Sequence, residues 1–434
     1  MSPTVLKLQS AVVLHGPKDL RVEERQVQVA IHSTGLCGSD LHYYQHGRNG
    51  DFAVLSPLVL GHEAAGVITA LGSKIPPSLN LKVGDRVAIE PGTACGRAHN
   101  HFPSSSSDTD EDEGTAVNSS SDEEDDPDGC EFCEAGRYNL CEGMRFCSSA
   151  KTFPHLDGSL QTTMNHPAHL LHPLPESCSF ERAALAEPLS VVLHAARRVG
   201  LVSHFPNASP LPLKAERPSS RSKRVLIIGT GAVGFLAAAL VRTLSDLGES
   251  SSDISYIAAM DINGAKLAAL AGAGYADATF QVPLGPGLKG AEQLARSRAV
   301  ANDALRALSE DDHNAAKGYD IVFECTGVES CIQMAIFMAR TGGKVALVGM
   351  GTPNPTLPLS SAATREVDLV GIFRYASTWP DALRLLASKP MAGVERVMVT
   401  QKYNLDDTAR AFELLASGSP DQLVLKVMVG PHYP

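Results

Sequence analysis

The sequence predicts an α/β protein: a doubly wound parallel sheet joined to a smaller, mostly-β domain. Three observations carry this. Residues 224–375 alternate strand-like and helix-like runs, the pattern of a parallel sheet with crossover helices. Within them, Arg224-Val-Leu-Ile-Ile leads into Gly229-Thr-Gly231-Ala-Val233-Gly234 and the apolar run FLAAALVRTL. A G-x-G-x-x-G thus opens a helix directly after a buried strand, the context that gives the motif meaning. Residues 10–34 and 64–91 instead show short strand-like runs, alternating in QVQVAIHSTG and closed by turn signals such as Val83-Gly84-Asp85, and read as small β-strands.

Length and composition bound the rest. A chain of 434 residues holds two domains or more, and 44% hydrophobic residues suffice for ordinary cores. The net charge of −11 comes from one tract: residues 104–128 carry eleven acids and no base, which leaves 37 acids against 37 bases elsewhere. No nucleic-acid-binding face is expected. The N-terminus lacks the pattern of a secretory signal. The longest uncharged run, Val225 to Val241, is glycine-punctuated and shorter than the roughly 20 residues of a membrane span. The expectation is a cytoplasmic protein with no membrane partner. Nine cysteines in such a chain suggest thiols and metal ligands rather than a disulfide framework.

The first chemistry-bearing stretch runs from Gly35 to Gly66, with Cys37, Ser39, His42, Tyr43, His62 and Glu63. Thiolate, imidazole and carboxylate are ligand types that zinc takes. Cys37 and His62 are too far apart for one turn to join, so a shared metal requires the fold to bring them together. Taken singly, Cys37 reads as a small core residue and His62–Glu63 as a solvated pair.

Cys95, Cys130, Cys133 and Cys141 follow, the last three as Cys-x2-Cys-x7-Cys. A two-residue spacer lets both sulfurs face one ion. Between Cys95 and Cys130 lie 34 residues, rich in serine and acid and poor in large apolar side chains; they cannot bury a core and are expected to be disordered. Lengthening this loop costs about 0.6 kcal/mol per doubling, roughly 2.5 kcal/mol in all. Structural zinc supplies on the order of 10–16 kcal/mol, so the four-cysteine site is expected to survive. The alternative is that Cys95 is no ligand and the lobe is empty.

Further on, Ala186-Glu187-Pro188 precedes an apolar run, so a helix is expected to start at Pro188 with Glu187 just before it as a cap carboxylate. Residues 202–222 read as a surface loop between domains. In the glycine motif, Gly229 allows the tight turn, Gly231 lets backbone approach a pyrophosphate and Gly234 packs helix on strand, with phosphates at the helix N-terminus. The next strand, SYIAAM, ends at Asp261. A carboxylate there accepts ribose hydroxyls and repels a 2′-phosphate, which favours NAD over NADP. A Ser-rich loop at 249–253 accounts for the long spacing from Gly234. YDIVFECTG, a helix near 329–340, GKVALVGMG and a last strand at 366–375 complete the sheet, and 281–318 form a helical insertion.

These motifs resemble the zinc-containing medium-chain dehydrogenases, and within them the polyol branch. The resemblance rests on Gly-Leu-Cys37-Gly-Ser39-Asp-Leu-His-Tyr43, Gly61-His62-Glu63, GDRVAIEPG at 84–92, GRYNLC at 136–141, EPLSV at 187–191, ECTG at 324–327 and GIFRY at 371–375. It implies a GroES-like catalytic domain at 1–195, a Rossmann NAD-binding domain at 196–373, and a return to the catalytic domain at 374–434. It implies a catalytic zinc on Cys37, His62 and either Glu63 or Glu187, with Glu187 facing the ion directly or through water, and a structural zinc on Cys95, Cys130, Cys133 and Cys141. NAD contacts fall on Gly229, Gly231, Val233, Gly234, Asp261, Lys266, Val348, Gly349, Met350, Phe373 and Arg374. Substrate contacts fall on Tyr43, Phe52, Glu187, Arg374 and Tyr375; without the resemblance, Phe52 and Tyr375 read as core aromatics and Arg374 as a surface ion-pair partner. The implied reaction is oxidation of sorbitol or xylitol by hydride transfer to NAD, with zinc as Lewis acid and Ser39, Tyr43 and Glu187 as catalytic residues. L-Arabinitol, threonine and aryl alcohols are the alternative substrates, and a non-catalytic protein on this fold the alternative class. The implied assembly is a homotetramer.

Overall fold

The computed structural model describes residues 11–16, 19–23, 26–95, 130–202, 222–250, 253–309, 317–417 and 423–433. The acidic tract expected at 97–128 and most of the 202–222 loop lie outside the described residues.

The glycine motif sits in a six-stranded, all-parallel sheet. Its order is Ala278–Gln281, Ile254–Asp261, Lys223–Ile228, Tyr319–Glu324, Ala339–Leu347, Asp368–Gly371. The chain starts in the middle, winds one way, then returns past the first strand to wind the other. The order therefore reverses beside Lys223–Ile228, and crevices at such switch points bind ligands at the strand C-termini. The central strands Lys223–Ile228 and Tyr319–Glu324 are nearly all buried because helices cover both faces; Leu226, Ile227, Val322 and Phe323 are fully buried.

A second sheet is antiparallel apart from one pair and discontinuous in sequence. Its order is Leu171–Pro173, Arg86–Ile89, Glu63–Leu71, Gln26–Gly35, Lys426–Gly430, Val399–Asn404, and Thr163–Pro167 also pairs with Gln26–Gly35. Gln26–Gly35 alternates half-buried and buried side chains, as the run QVQVAIHSTG predicts. The last two strands in sequence thus return to a sheet begun by Gln26–Gly35, placing Lys426 beside residues near position 36.

The two sheets share one core. Helix Ala186–Arg198 packs Leu189, Val192, Leu193, Ala195 and Ala196 into the cluster that holds Phe235, Ala239 and Leu240 of helix Ala232–Leu247, together with Ala65 and Ala88 of the antiparallel sheet. Small side chains let these helices approach closely. One sequence expectation is corrected here. The helix begins at Ala186, after a separate short helix Phe180–Ala184, so Glu187 lies inside the first turn instead of before it. The Ser179 cap and Leu185 start helical geometry ahead of Pro188, which the third helical position tolerates because its N–H has no partner within the helix.

Candidate active site and metal centres

Cys37 caps helix Gly38–His46, and Asp40 of its first turn accepts a hydrogen bond from the Cys37 backbone N–H at 3.2 Å. Glu63 starts the strand Glu63–Leu71 and pairs with Gly35, which brings the His62–Glu63 step alongside the end of Gln26–Gly35 and so beside Cys37. One donor atom from each of Cys37, His62 and Glu63 lies within 4.8 Å of the others. His62 and Glu63 are buried and Cys37 half-buried. The donor types and their convergence fit zinc.

Around this set lie groups that sequence reasoning missed. Asp40 is fully buried, and its Oδ1 lies 3.3 Å from His62 Nδ1. The same carboxylate accepts from Ser148 Oγ at 2.5 Å and from Gly61 N at 3.3 Å. Burial opposes its charge, but His62, Ser148 and the Cys37 amide outweigh that and hold its pKa below the usual value. A carboxylate behind a ligating histidine fixes the ring's orientation. Lys426, also buried, donates to both oxygens of Glu63 at 2.8 and 2.6 Å and to the Leu36 carbonyl at 3.0 Å.

Glu187 stands outside the three-donor set. Burial pushes its pKa up to about 7, with Glu63 adding to the rise and His62, Lys426 and Arg374 opposing it. Arg374 lies with its guanidinium 3.9 Å from the Phe146 ring centroid and 4.9 Å from that of Phe373. One of its terminal nitrogens donates to Ser149 Oγ at 3.4 Å, while Nη1 is buried without a hydrogen-bond partner. Tyr375 is 2% exposed, its hydroxyl likewise without a hydrogen-bonded partner. Tyr43 is buried and accepts from the Ala150 amide at 3.0 Å. Ser39 is exposed to solvent in part, in the first turn of helix Gly38–His46, and Phe52 is half-buried in a short ladder opposite Asn49.

Cys95, Cys130, Cys133 and Cys141 also converge within 4.8 Å, with 3.5 Å between the Cys95 and Cys133 sulfurs. Cys130 caps a one-turn helix, Glu131–Glu134, that turns Cys133 back toward it. Four sulfurs in one cluster are a donor set for tetrahedral zinc.

The dinucleotide loop has the expected backbone. Gly229 adopts φ +85°, and a Cβ on Gly234 would lie 1.7 Å from the Gly229 carbonyl oxygen. A Cβ on Gly231 would meet nothing within 4 Å, so this face is open for close approach of a ligand. Val233 is half-buried in the first helical turn. Asp261 ends its strand and accepts from Thr230 N at 2.5 Å and Thr230 Oγ at 3.0 Å, and from Asn263 N at 2.8 Å. The half-buried Lys266 donates its amide to the Asn263 cap. Across the switch point, the Val348 and Gly349 amides both bond the Glu324 carbonyl, and Met350 is 57% exposed. This cradle fits a dinucleotide.

Replacing Asp40 with asparagine keeps the shape but removes the charge behind His62. The expected result is a fall of about 10–100-fold in metal affinity, measured by competition with a chromophoric chelator. Unchanged affinity would show that His62 needs no such support.

Two family descriptions match the chain: an alcohol dehydrogenase GroES-like domain over residues 23–110 and a zinc-binding dehydrogenase over residues 254–388. Sorbitol dehydrogenase of Gallus gallus is 34% identical, the alignment covering 96% of each protein. Its counterpart in Homo sapiens is 32% identical over 96% of this chain and 95% of that one. Among solved structures, L-idonate 5-dehydrogenase of Escherichia coli matches with a TM-score of 0.67 at 26% identity, covering 94% of this chain and 91% of that one. Alcohol dehydrogenase of Thermus sp. matches with a TM-score of 0.64 at 25% identity, covering 96% and 95%. Among the described residues no helix is long and apolar enough to cross a membrane. With the paired sheets, the glycine cradle and both donor clusters in place, the chain belongs to the zinc-binding dehydrogenases of the alcohol dehydrogenase family, among the homologues of sorbitol dehydrogenase.

Proposed function

We propose that the protein is an NAD-dependent polyol dehydrogenase that oxidises sorbitol or xylitol to the ketose. The observation that carries the substrate class is Arg374 Nη1, a buried donor without a hydrogen-bond partner. A simple alcohol would leave that donor unpaired, whereas a polyol supplies hydroxyls to it, to Glu187 and to Tyr375. Each unpaired buried group penalises the wrong ligand by about 1–3 kcal/mol.

Cys37, His62 and Glu63 would hold zinc, Asp40 orienting the imidazole and Lys426 the carboxylate. Cys95, Cys130, Cys133 and Cys141 would hold a second, structural ion. When bound, zinc supplies a Lewis acid that lowers the substrate hydroxyl's pKa, and NAD accepts the hydride. Glu187, its pKa raised by burial, holds or releases a proton near neutral pH. Ser39, at the solvent-facing start of its helix, passes a proton outward. Tyr43, Arg374 and Tyr375 orient the polyol, and Phe52 bounds it, favouring sorbitol or xylitol over L-arabinitol. Gly231 and Gly234 admit the pyrophosphate, while Asp261 and Lys266 face the adenosine ribose. Val348, Gly349, Met350 and Phe373 flank the nicotinamide half.

The test is kcat/KM for sorbitol, xylitol, L-arabinitol, threonine and ethanol with NAD. Sorbitol or xylitol is expected to lead, and Arg374→Leu to narrow the polyol-to-ethanol ratio by about 10–100-fold. Ethanol or threonine in the lead would overturn the polyol reading; L-arabinitol in the lead would overturn only the role given to Phe52.

Cofactor choice has its own test. Asp261→Ser removes the charge that repels a 2′-phosphate, and discrimination often rests on such a repulsive element. NAD preference over NADP is expected to fall about tenfold or more, ~1.4 kcal/mol. Unchanged discrimination would remove Asp261 from the ribose site.

A further inference from the structure

The segment that presents Arg374 and Tyr375 is held in an unfavourable backbone conformation. Arg374 has φ +50° and Ser377 φ +53°, both in the left-handed region that L side chains rarely adopt. Such residues persist only when their surroundings over-determine them. Here the surroundings come from the four-cysteine lobe. Between Cys133 and Cys141, Asn139 donates its side-chain amide to the Phe373 carbonyl at 2.8 Å, and the Tyr138 hydroxyl accepts from the Ser377 amide at 2.9 Å. These two bonds fall on either side of Arg374 and Tyr375. The Tyr138 hydroxyl in turn donates to Glu90 Oε1 at 2.7 Å, and the other Glu90 oxygen meets His172 Nε2 at 2.8 Å. From the opposite side, Arg197 donates to the Ala376 and Ser377 carbonyls at 3.1 and 3.2 Å.

We infer that Tyr138 and Asn139 are positioning residues for substrate recognition: the four-cysteine lobe clamps Phe373 and Ser377 and thereby aims Arg374 and Tyr375 at the polyol. The inference rests on the substrate role given to Arg374 above. Tyr138 and Asn139 belong to neither donor cluster and to no part of the glycine loop, so their effect comes through the Phe373–Ser377 segment. The clamp also makes the cysteine lobe part of the specificity apparatus as well as a fold element.

The molecule carries its own reporter. Its one tryptophan, Trp379, lies at the end of this segment, 1% exposed, edge-on to Tyr375 with ring centroids 5.9 Å apart and stacked on His172 at 5.3 Å. The experiment uses Tyr138→Phe and Asn139→Ala in the full chain and reads acrylamide quenching of Trp379 beside steady-state kinetics. Quenching is expected to rise in both variants. The KM for sorbitol or xylitol should rise about tenfold, with the metal content unchanged. In an Arg374→Leu background, Tyr138→Phe should add little further, because the two act through one contact.

Unchanged quenching in both variants would overturn the clamp whatever the substrate. Full multiplication of the two KM effects would overturn action through Arg374. If Arg374→Leu alone leaves polyol kinetics untouched, the substrate reading fails instead, and with it the recognition role, while Trp379 quenching still decides whether the lobe holds the segment.

Discussion

Lys426→Met is expected to destabilise the metal-free protein by about 3–5 kcal/mol, the cost of stranding a buried charge whose partner is removed. Lys426 is 2% exposed and Glu63 1%, and the ammonium bonds both carboxylate oxygens. Desolvation works against the charged lysine, but Glu63 and Cys37 outweigh it and raise its pKa above the usual 10.5. The sign follows: the ammonium's contribution is full below about 10.5 and is lost as pH rises through the raised value. At neutral pH the whole effect of the substitution is therefore on display. Without Lys426, the buried Glu63 carboxylate is left facing the imidazole and the thiol of the donor set. The double variant Lys426→Met/Glu63→Gln, which removes both charges, should recover most of the loss, since replacing both partners costs far less than replacing one. Urea unfolding of wild type, single and double variants measures this. A single variant as stable as wild type, or a double variant no better than the single, would show that the pair is not coupled.

Lys426 also shows where the sequence was legible and where it was not. The parallel sheet could be read because its central strands are buried on both faces and its glycines have local jobs: Gly229 makes a turn, Gly234 a close approach. Those constraints act within a few residues. The Cys37–His62–Glu63 set needed more. The residues suggested the chemistry, but their convergence depends on the pairing of Gly35 with Glu63, which no local pattern encodes. Asp40 and Lys426 were missed although each left a trace. Asp40 stands three residues after Cys37, the spacing of a reciprocal helix cap. Lys426 interrupts the apolar run LVLKVMVG, and a charge in a buried strand must find a partner. Its partner lies 363 residues away, so the need was visible and the answer was not. Tyr138 and Asn139 carry no local signal beyond the run GRYNLC; their bonds to Phe373 and Ser377 cross from the cysteine lobe to a segment more than 200 residues on. The start of the Glu187 helix was misplaced for a smaller reason. Pro188 reads as a first helical residue, but Leu185 and Ala186 already have helical geometry from the turn before.

Cys37→Ala is expected to abolish metal-dependent turnover. The substitution removes one of three converging donors and leaves an imidazole and a carboxylate. Losing a supporting group behind a ligand costs about 10–100-fold in affinity; losing the ligand itself costs more, because the two remaining donors cannot close the coordination shell. The sheet around the site should survive. Cys37 is half-buried at a helix start, the Asp40 carboxylate takes the backbone N–H of residue 37 regardless of its side chain, and the Lys426–Glu63 pair stays intact. The four-cysteine cluster is built from other strands and loops, so its ion should remain. Metal content, urea unfolding and polyol turnover, measured together, separate these possibilities. The expected pattern is less bound metal than in wild type, near-wild-type stability and no turnover. Full turnover by a Cys37→Ala protein lacking that metal would sink the proposed chemistry, and global unfolding would show that Cys37 serves the fold before it serves the site.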